Sequence, residues 1–237
     1  MKYILLIILT LGFFHSFSQE KKLLLGFNLG PSITNLRGDK YYDGIKESYE
    51  DKNQTSLIRF AIGLTLEYEI NNKLSIISGI NFELKGGIST NPIFESYRNY
   101  PDPIVTYIRG KETNDYNLQY LTVPLLGSFK FGPKKLFFLN GGFFGSILAI
   151  REQRTSYHVN FYQKNTAYSK IYDAGFTAGI GGVTDLNKKL SFSFEVRNNL
   201  GLVNIVKTPT ISESVIKTNS INILLGFSWR IGKSEPT

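Results

Sequence analysis

From Phe60 to Ile70 every second residue is large and apolar: Phe60, Ile62, Leu64, Leu66, Tyr68 and Ile70. The intervening series is Arg59, Ala61, Gly63, Thr65, Glu67 and Glu69. Side chains on a β-strand point alternately to its two faces, so this is a two-faced strand. The alternation recurs at Leu74, Ile76, Ile80, Phe82 and Leu84, and again at Leu121, Val123, Leu125, Phe129 and Phe131. It returns at Leu190, Phe192, Phe194 and Val196, and finally from Ile221 to Ile231. Read along the whole chain, the pattern predicts eight strands, over roughly 23–36, 56–70, 73–89, 116–131, 135–151, 170–185, 189–203 and 217–232. The fifth, "LFFLNGGFFGSILAI", is apolar on both faces, and its phase stays open.

The connections alternate in length. "NNK", "GPKK" and "NKK" join strands two to three, four to five and six to seven, while long polar stretches make the other links. A Lys-Leu pair follows each short turn, and strand one opens in the same way, near Lys22, Lys73, Lys135 and Lys189. The odd strands therefore all start at one end of the structure. The expected fold class is all-β, an eight-stranded antiparallel up-and-down barrel.

The non-greasy face decides which way such a barrel is turned. It is rich in small residues, among them Gly26, Gly30, Ala61, Gly63, Gly79, Gly179, Ser191, Ser193 and Gly226. A soluble surface favours long charged side chains, whereas a narrow lumen needs small ones. The charged residues on this face carry both signs: Arg59, Glu67, Glu69, Glu83, Lys85, Lys130, Glu195, Arg197 and Arg230. Enclosed in a barrel they are expected to pair across strands as a structural lumen network, because a buried unpaired charge is costly. The apolar series then faces lipid, making this a transmembrane barrel. A soluble ligand-binding barrel with the opposite polarity is the alternative. Eight strands leave an interior filled by side chains, which argues against a general porin. The turn lysines either extend into the headgroup region or simply keep tight turns soluble, and Tyr68, Phe131 and Trp229 can form an aromatic girdle.

The N-terminal segment "MKYILLIILTLGFFHSFSQ" has one Lys, an apolar core and a small-x-small end. It reads as a secretory signal peptide over residues 1–18, followed by a barrel domain over 19–237. The chain has no cysteine and two histidines, one within the signal, so no metal or cofactor is expected. The formal charge of +8 comes from scattered residues, not a dense basic run. That gives no pointer to nucleic acid and at most favours an acidic surface such as anionic lipid or lipopolysaccharide.

The stretch "LQYLTVPLLGSFKF" (118–131) resembles the PorT-like outer-membrane β-barrel family of the Bacteroidota, with Tyr120, Leu121, Pro124, Leu125 and Leu126 in its Tyr-Leu-x-x-Pro-Leu-Leu motif. "FFLNGGFFGSIL", "YDAGFTAGIGG" and "INILLGFSWRI" are similar to the family's fifth, sixth and closing strands. The resemblance implies a Gram-negative outer membrane and insertion by the barrel-assembly machinery; a single monomeric barrel is the expected form. It implies no uniform activity, although some relatives are accessory to protein secretion or gliding. A C-terminus running past Trp229 and Ile231 into "GKSEPT" departs from the aromatic ending of many such barrels.

No catalytic site is expected. Ser156, His158 and Glu152 hold the residue types of a nucleophile, base and orienting acid, which a lipid-modifying enzyme would need. "RGD" at Arg37–Asp39 reads as a chance tripeptide in a charged loop, and "GIGG" at 179–182 as close strand packing. The long loops concentrate aromatics, including Tyr41, Tyr49, Tyr97, Tyr100, Tyr157 and Tyr168. These either pack together as a cap or contact envelope protein partners.

Overall fold

The computed structural model describes residues 23–42, 45–48, 54–97, 105–156, 160–164, 169–207 and 215–231. Eight long strands make the barrel: β1 (Leu23–Tyr42), β2 (Leu57–Glu69), β3 (Leu74–Tyr97), β4 (Val105–Phe131), β5 (Phe137–Ser156), β6 (Tyr172–Asp185), β7 (Leu190–Gly201) and β8 (Val215–Ile231). Each pairs antiparallel with its sequence neighbour, and β8 closes on β1 from Leu23↔Ile231 to Asp39↔Val215. Closure satisfies every strand edge, the condition for a sheet to sit in lipid. Short strands Ile45–Ser48, Gln54–Thr55 and Asn160–Lys164 add to the long-loop end, pairing with β1, β3 and β5. Residues 1–18, expected to be a signal, and His158 lie outside the described residues, as do Tyr49, Tyr100, Tyr157 and Tyr168.

The greasy series points outward on every strand. Leu64, Leu125, Phe143, Ile147 and Ile180 are each more than half exposed, and Phe60, Phe129, Phe176, Leu225 and Trp229 stand with them. An apolar surface of this extent, wrapped around a closed barrel, is a lipid-facing belt. Tyr68 and Trp229 flank Leu23 and Leu25 at the short-turn border, and at the same end of β4 and β5 the rings of Phe129, Phe131 and Phe137 follow one another at 6.3 and 5.9 Å. The fifth strand now has a phase. Phe137, Leu139, Phe143 and Ile147 face out, while Phe138, Asn140, Phe144, Ser146 and Leu148 are buried inside. Both its faces are apolar because one meets lipid and the other fills the lumen.

Two of the short turns share one device. Asn71 Oδ1 accepts from the amides of Lys73 (2.8 Å) and Leu74 (2.9 Å), and Asn187 Oδ1 accepts from Lys189 and Leu190 (both 2.9 Å). An Asn side chain that folds onto the backbone two and three residues ahead fixes the turn, so the recurring Asn-x-Lys-Leu is a turn signature. Pro124 sits where the β3–β4 ladder lapses between Ser78↔Leu125 and Asn81↔Thr122. Its missing N–H is tolerated there, and its carbonyl accepts from Ser78 Oγ (2.9 Å).

Several strands run further than the alternation indicated. β4 begins at Val105 and β3 ends at Tyr97, so this hairpin rises well beyond the belt. Over 90–97 and 105–115 the sequence carries no sustained apolar alternation, and polar cross-strand contacts such as Thr155 Oγ1 to Asn114 Oδ1 (2.7 Å) tie β5 to β4. A strand with no greasy face leaves no period-two hydrophobic trace. Arg37–Asp39 lies within β1, paired to Lys217, Ile216 and Val215, and Arg37 Nη2 donates to the Gly201 carbonyl. It is strand, not loop. "GIGG" lies in β6, where a Cβ on Gly181 would come within 2.3 Å of the Phe138 ring. That is the close packing expected of it.

Candidate functional site: the barrel interior

The interior has three levels. At the loop-side end, Leu36, Leu118, Tyr120, Leu148 and Ile205 form an apolar cluster, with Tyr116 and Ile216 packed against it. Ile205 reaches it because the chain after β7 stays in the wall: Lys170 N–H donates to the Ile205 carbonyl and Ile205 N–H to that of Ile216 (2.7 and 2.8 Å). Tyr120 and Leu118 are inaccessible to solvent at 0% and 2% exposure, so this level is a stopper.

Below it lies a chain of buried charges. Lys85 Nζ stands 3.4 Å from Asp173 Oδ2 and 3.6 Å from Glu83 Oε2. It also lies over the rings of Phe144 (4.4 Å) and Tyr120 (5.1 Å). Thr218 Oγ1 donates to Asp173 (2.6 Å) and Asn199 Nδ2 to Glu83 (2.9 Å). Glu83 is in electrostatic reach of Arg197, which grips Glu195 in bidentate fashion through Nε (2.8 Å) and Nη2 (2.6 Å). Asn140 Nδ2 completes the series on Glu195 Oε1 (2.9 Å). Asp173, Lys85, Glu83, Arg197 and Glu195 thus alternate in sign across β6, β3 and β7. Such charges persist in a low-dielectric interior only because each is paired and hydrogen-bonded.

The third level is a cavity of about 660 Å³ at the short-turn end. Its wall includes Leu24, Phe138, Glu67, Lys130, Glu195 and Arg230. Lys130 Nζ bridges Glu67 (2.8 Å) and Glu69 (3.0 Å), Arg230 Nη1 holds the other oxygen of Glu69 (2.8 Å), and Ser75 Oγ donates to Glu67 (2.7 Å). Among the described residues no group of three or more His, Cys, Asp or Glu has the disposition of a metal site.

Eight of the nine residues expected to line the lumen therefore fall into two sets: Glu83, Lys85, Glu195 and Arg197 in the middle, and Glu67, Glu69, Lys130 and Arg230 at the short-turn mouth. Arg59 is the exception. Its backbone is in register with the inward Ser32, but its guanidinium bonds Asp115 Oδ1 (3.0 Å) on the outward series of β4. The β2–β3 ladder ends at Ala61↔Glu83, and the lapse beyond frees the side chain to turn away. Asp173 was missed, although it shares the inward series of β6 with Gly175, Thr177 and Gly179, a parity the sequence displays. Of the Ser156, His158 and Glu152 candidates, Glu152 holds Asn117 Nδ2 (3.2 Å) and the Tyr162 hydroxyl.

A closed antiparallel barrel with a lipid belt outside and paired charges within defines an integral outer-membrane β-barrel. The chain belongs to the outer membrane protein beta-barrel domain family, whose model matches residues 17–207. Solved structures similar in fold include Neisserial surface protein A, at 11% identity over 89% of this chain and 97% of that one, with a TM-score of 0.44. OprG from Pseudomonas aeruginosa is similar at 14% identity over 89% and 96%, TM-score 0.44. Ail of Yersinia pestis is similar at 13% identity over 87% and 97%, TM-score 0.37. A search of curated protein sequences gives no match.

Proposed function

We propose that this protein is a solute-tight outer-membrane barrel with a structural or interaction role, whose long loops carry its contacts to envelope partners. The filled cross-section supports the reading above all. The Leu36–Leu118–Tyr120–Leu148–Ile205 stopper stands over the Asp173–Lys85–Glu83–Arg197–Glu195 chain, and every member of both is buried. The protein is a monomer, exported by the signal at 1–18 and inserted by the barrel-assembly machinery. The Tyr120–Leu126 motif favours the PorT-like branch and a Bacteroidota-type outer membrane, in which an accessory part in protein secretion is the interaction role to test first. It is not an enzyme. Outer-membrane lipid and lipopolysaccharide are its immediate surroundings.

Purified protein reconstituted in planar bilayers is expected to give no sustained conductance, and its vesicles no swelling in small sugars. Steady single-channel currents from the wild type would overturn the solute-tight reading. Stoichiometric companions retained through purification in mild detergent would support the interaction role; a barrel always isolated alone would count against it.

A further inference from the structure

Arg59 leaves the interior series, and its destination has its own chemistry. Between the last β2–β3 pair, Ala61↔Glu83, and the resumption at Thr55↔Ile88, the wall has no ladder. Thr34 Oγ1 of β1 takes up the Gly86 carbonyl in that stretch (3.1 Å). Gly86, with φ of 150°, presents no side chain on the outward series between Leu84 and Ile88. The Arg59 guanidinium reaches Asp115 here, at the edge of a notch of about 130 Å³ lined by Arg59, Leu84, Asp115, Asn117, Glu152 and Arg154. Asp115 and Asn117 lie cross-strand from Arg154 and Glu152. The Arg154 guanidinium stacks 5.8 Å from the Tyr162 ring. Past Gln119, toward the short-turn end, the outward series turns apolar at Leu121 and Ile147, and Phe60 stands on β2 beyond β3, all exposed.

We propose that this notch seats the headgroup of a zwitterionic lipid, one carrying both a phosphate and an ammonium, in the outer leaflet. Two guanidiniums and two carboxylates share a recess at the upper border of the lipid belt. A purely anionic headgroup would meet both carboxylates and a cationic one both arginines, whereas a headgroup with both charges complements the set. Guanidiniums bind phosphate oxygens through paired N–H donors, and carboxylates accept from an ammonium. The acyl chains then descend over Phe60, Leu121 and Ile147. The long-loop end of such barrels faces the exterior, which places the notch in the outer leaflet. The proposal rests on the membrane placement alone and not on the solute-tight lumen, so lipid binding and conductance fail independently.

Native mass spectrometry of the detergent-purified protein tests it, titrating phosphatidylethanolamine, phosphatidylglycerol of matched chains and water-soluble phosphoethanolamine. The wild type is expected to retain the ethanolamine lipid roughly fivefold better than the glycerol lipid, the scale of one charge-assisted contact at a wet border. R59Q and R154Q, each confirmed folded by heat-modifiable gel migration, should lose that preference. Equal retention of the two lipids by the wild type overturns the proposal, whether or not the variants fold. So does an unchanged preference in both folded variants. Phosphoethanolamine should compete only weakly, because it lacks the chains. Competition equal to that of the intact lipid would make the notch a site for a soluble metabolite and overturn the lipid assignment.

Discussion

Replacing Lys85 with methionine will destabilise the folded barrel by about 3–5 kcal/mol, the cost of leaving buried charges without their partner. Lys85 is 0% exposed, and the two carboxylates it serves, Glu83 and Asp173, are 2% and 1% exposed. Three carboxylates and two cations make up the buried chain, so removing one cation from a set already short of one is the harshest single change. Equilibrium urea unfolding in lipid vesicles measures it, followed by the fluorescence of the single tryptophan, Trp229. E83Q should cost less, since Lys85 keeps Asp173 at 3.4 Å. Neutralising all three together, as K85M/E83Q/D173N, should recover much of the K85M loss, because no unpaired charge then remains inside. A K85M barrel as stable as the wild type would mean that the charges are not enclosed.

The second large effect is on the opposite face and has the opposite logic. Leu64→Arg puts a guanidinium at the middle of the greasy belt and should cost about 2–4 kcal/mol in the same unfolding assay. Ile58→Arg, on the same outward series but at the loop-side end of β2, should cost about 0–1 kcal/mol, since the charge there reaches the interface. In the soluble alternative of opposite polarity the whole Ile58–Leu64 series would face the interior, and both arginines would be costly. The depth dependence is therefore the informative readout.

The parity of the strands was open to reading from the chain alone, because lipid on one side and a crowded lumen on the other impose period two on each transmembrane stretch. That parity alone brings Lys130 to Glu67 and Glu69, residues far apart in sequence. What parity does not encode is where a ladder lapses. Arg59 carries the same alternation as Ala61 and Gly63, yet the missing β2–β3 pairs send its guanidinium outward. The interior was expected to be small or charged, but Leu36, Leu118, Tyr120, Phe138 and Phe144 all point into it. Their neighbours Leu121, Phe137 and Phe143 are just as greasy, so composition does not separate the faces there. The rise of β3 and β4 beyond the belt was invisible for a simpler reason: residues 90–97 and 105–115 carry no sustained hydrophobic rhythm.

The central claim is the direction of the two faces, and the absence of cysteine makes it directly measurable. Single cysteines carrying nitroxide labels can be placed at Leu64, Leu125, Phe143 and Leu225, and at Thr122, Ser146, Ser193 and Gly226 for the inner series. Collision with oxygen dissolved in lipid, against a water-soluble nickel chelate, reads the surroundings of each label in vesicles. The first set should be oxygen-accessible and chelate-protected, and the second shielded from lipid. Labels at Leu64 and Phe143 protected from oxygen, with those at Thr122 and Ser146 in contact with lipid, would turn the barrel inside out and contradict the account.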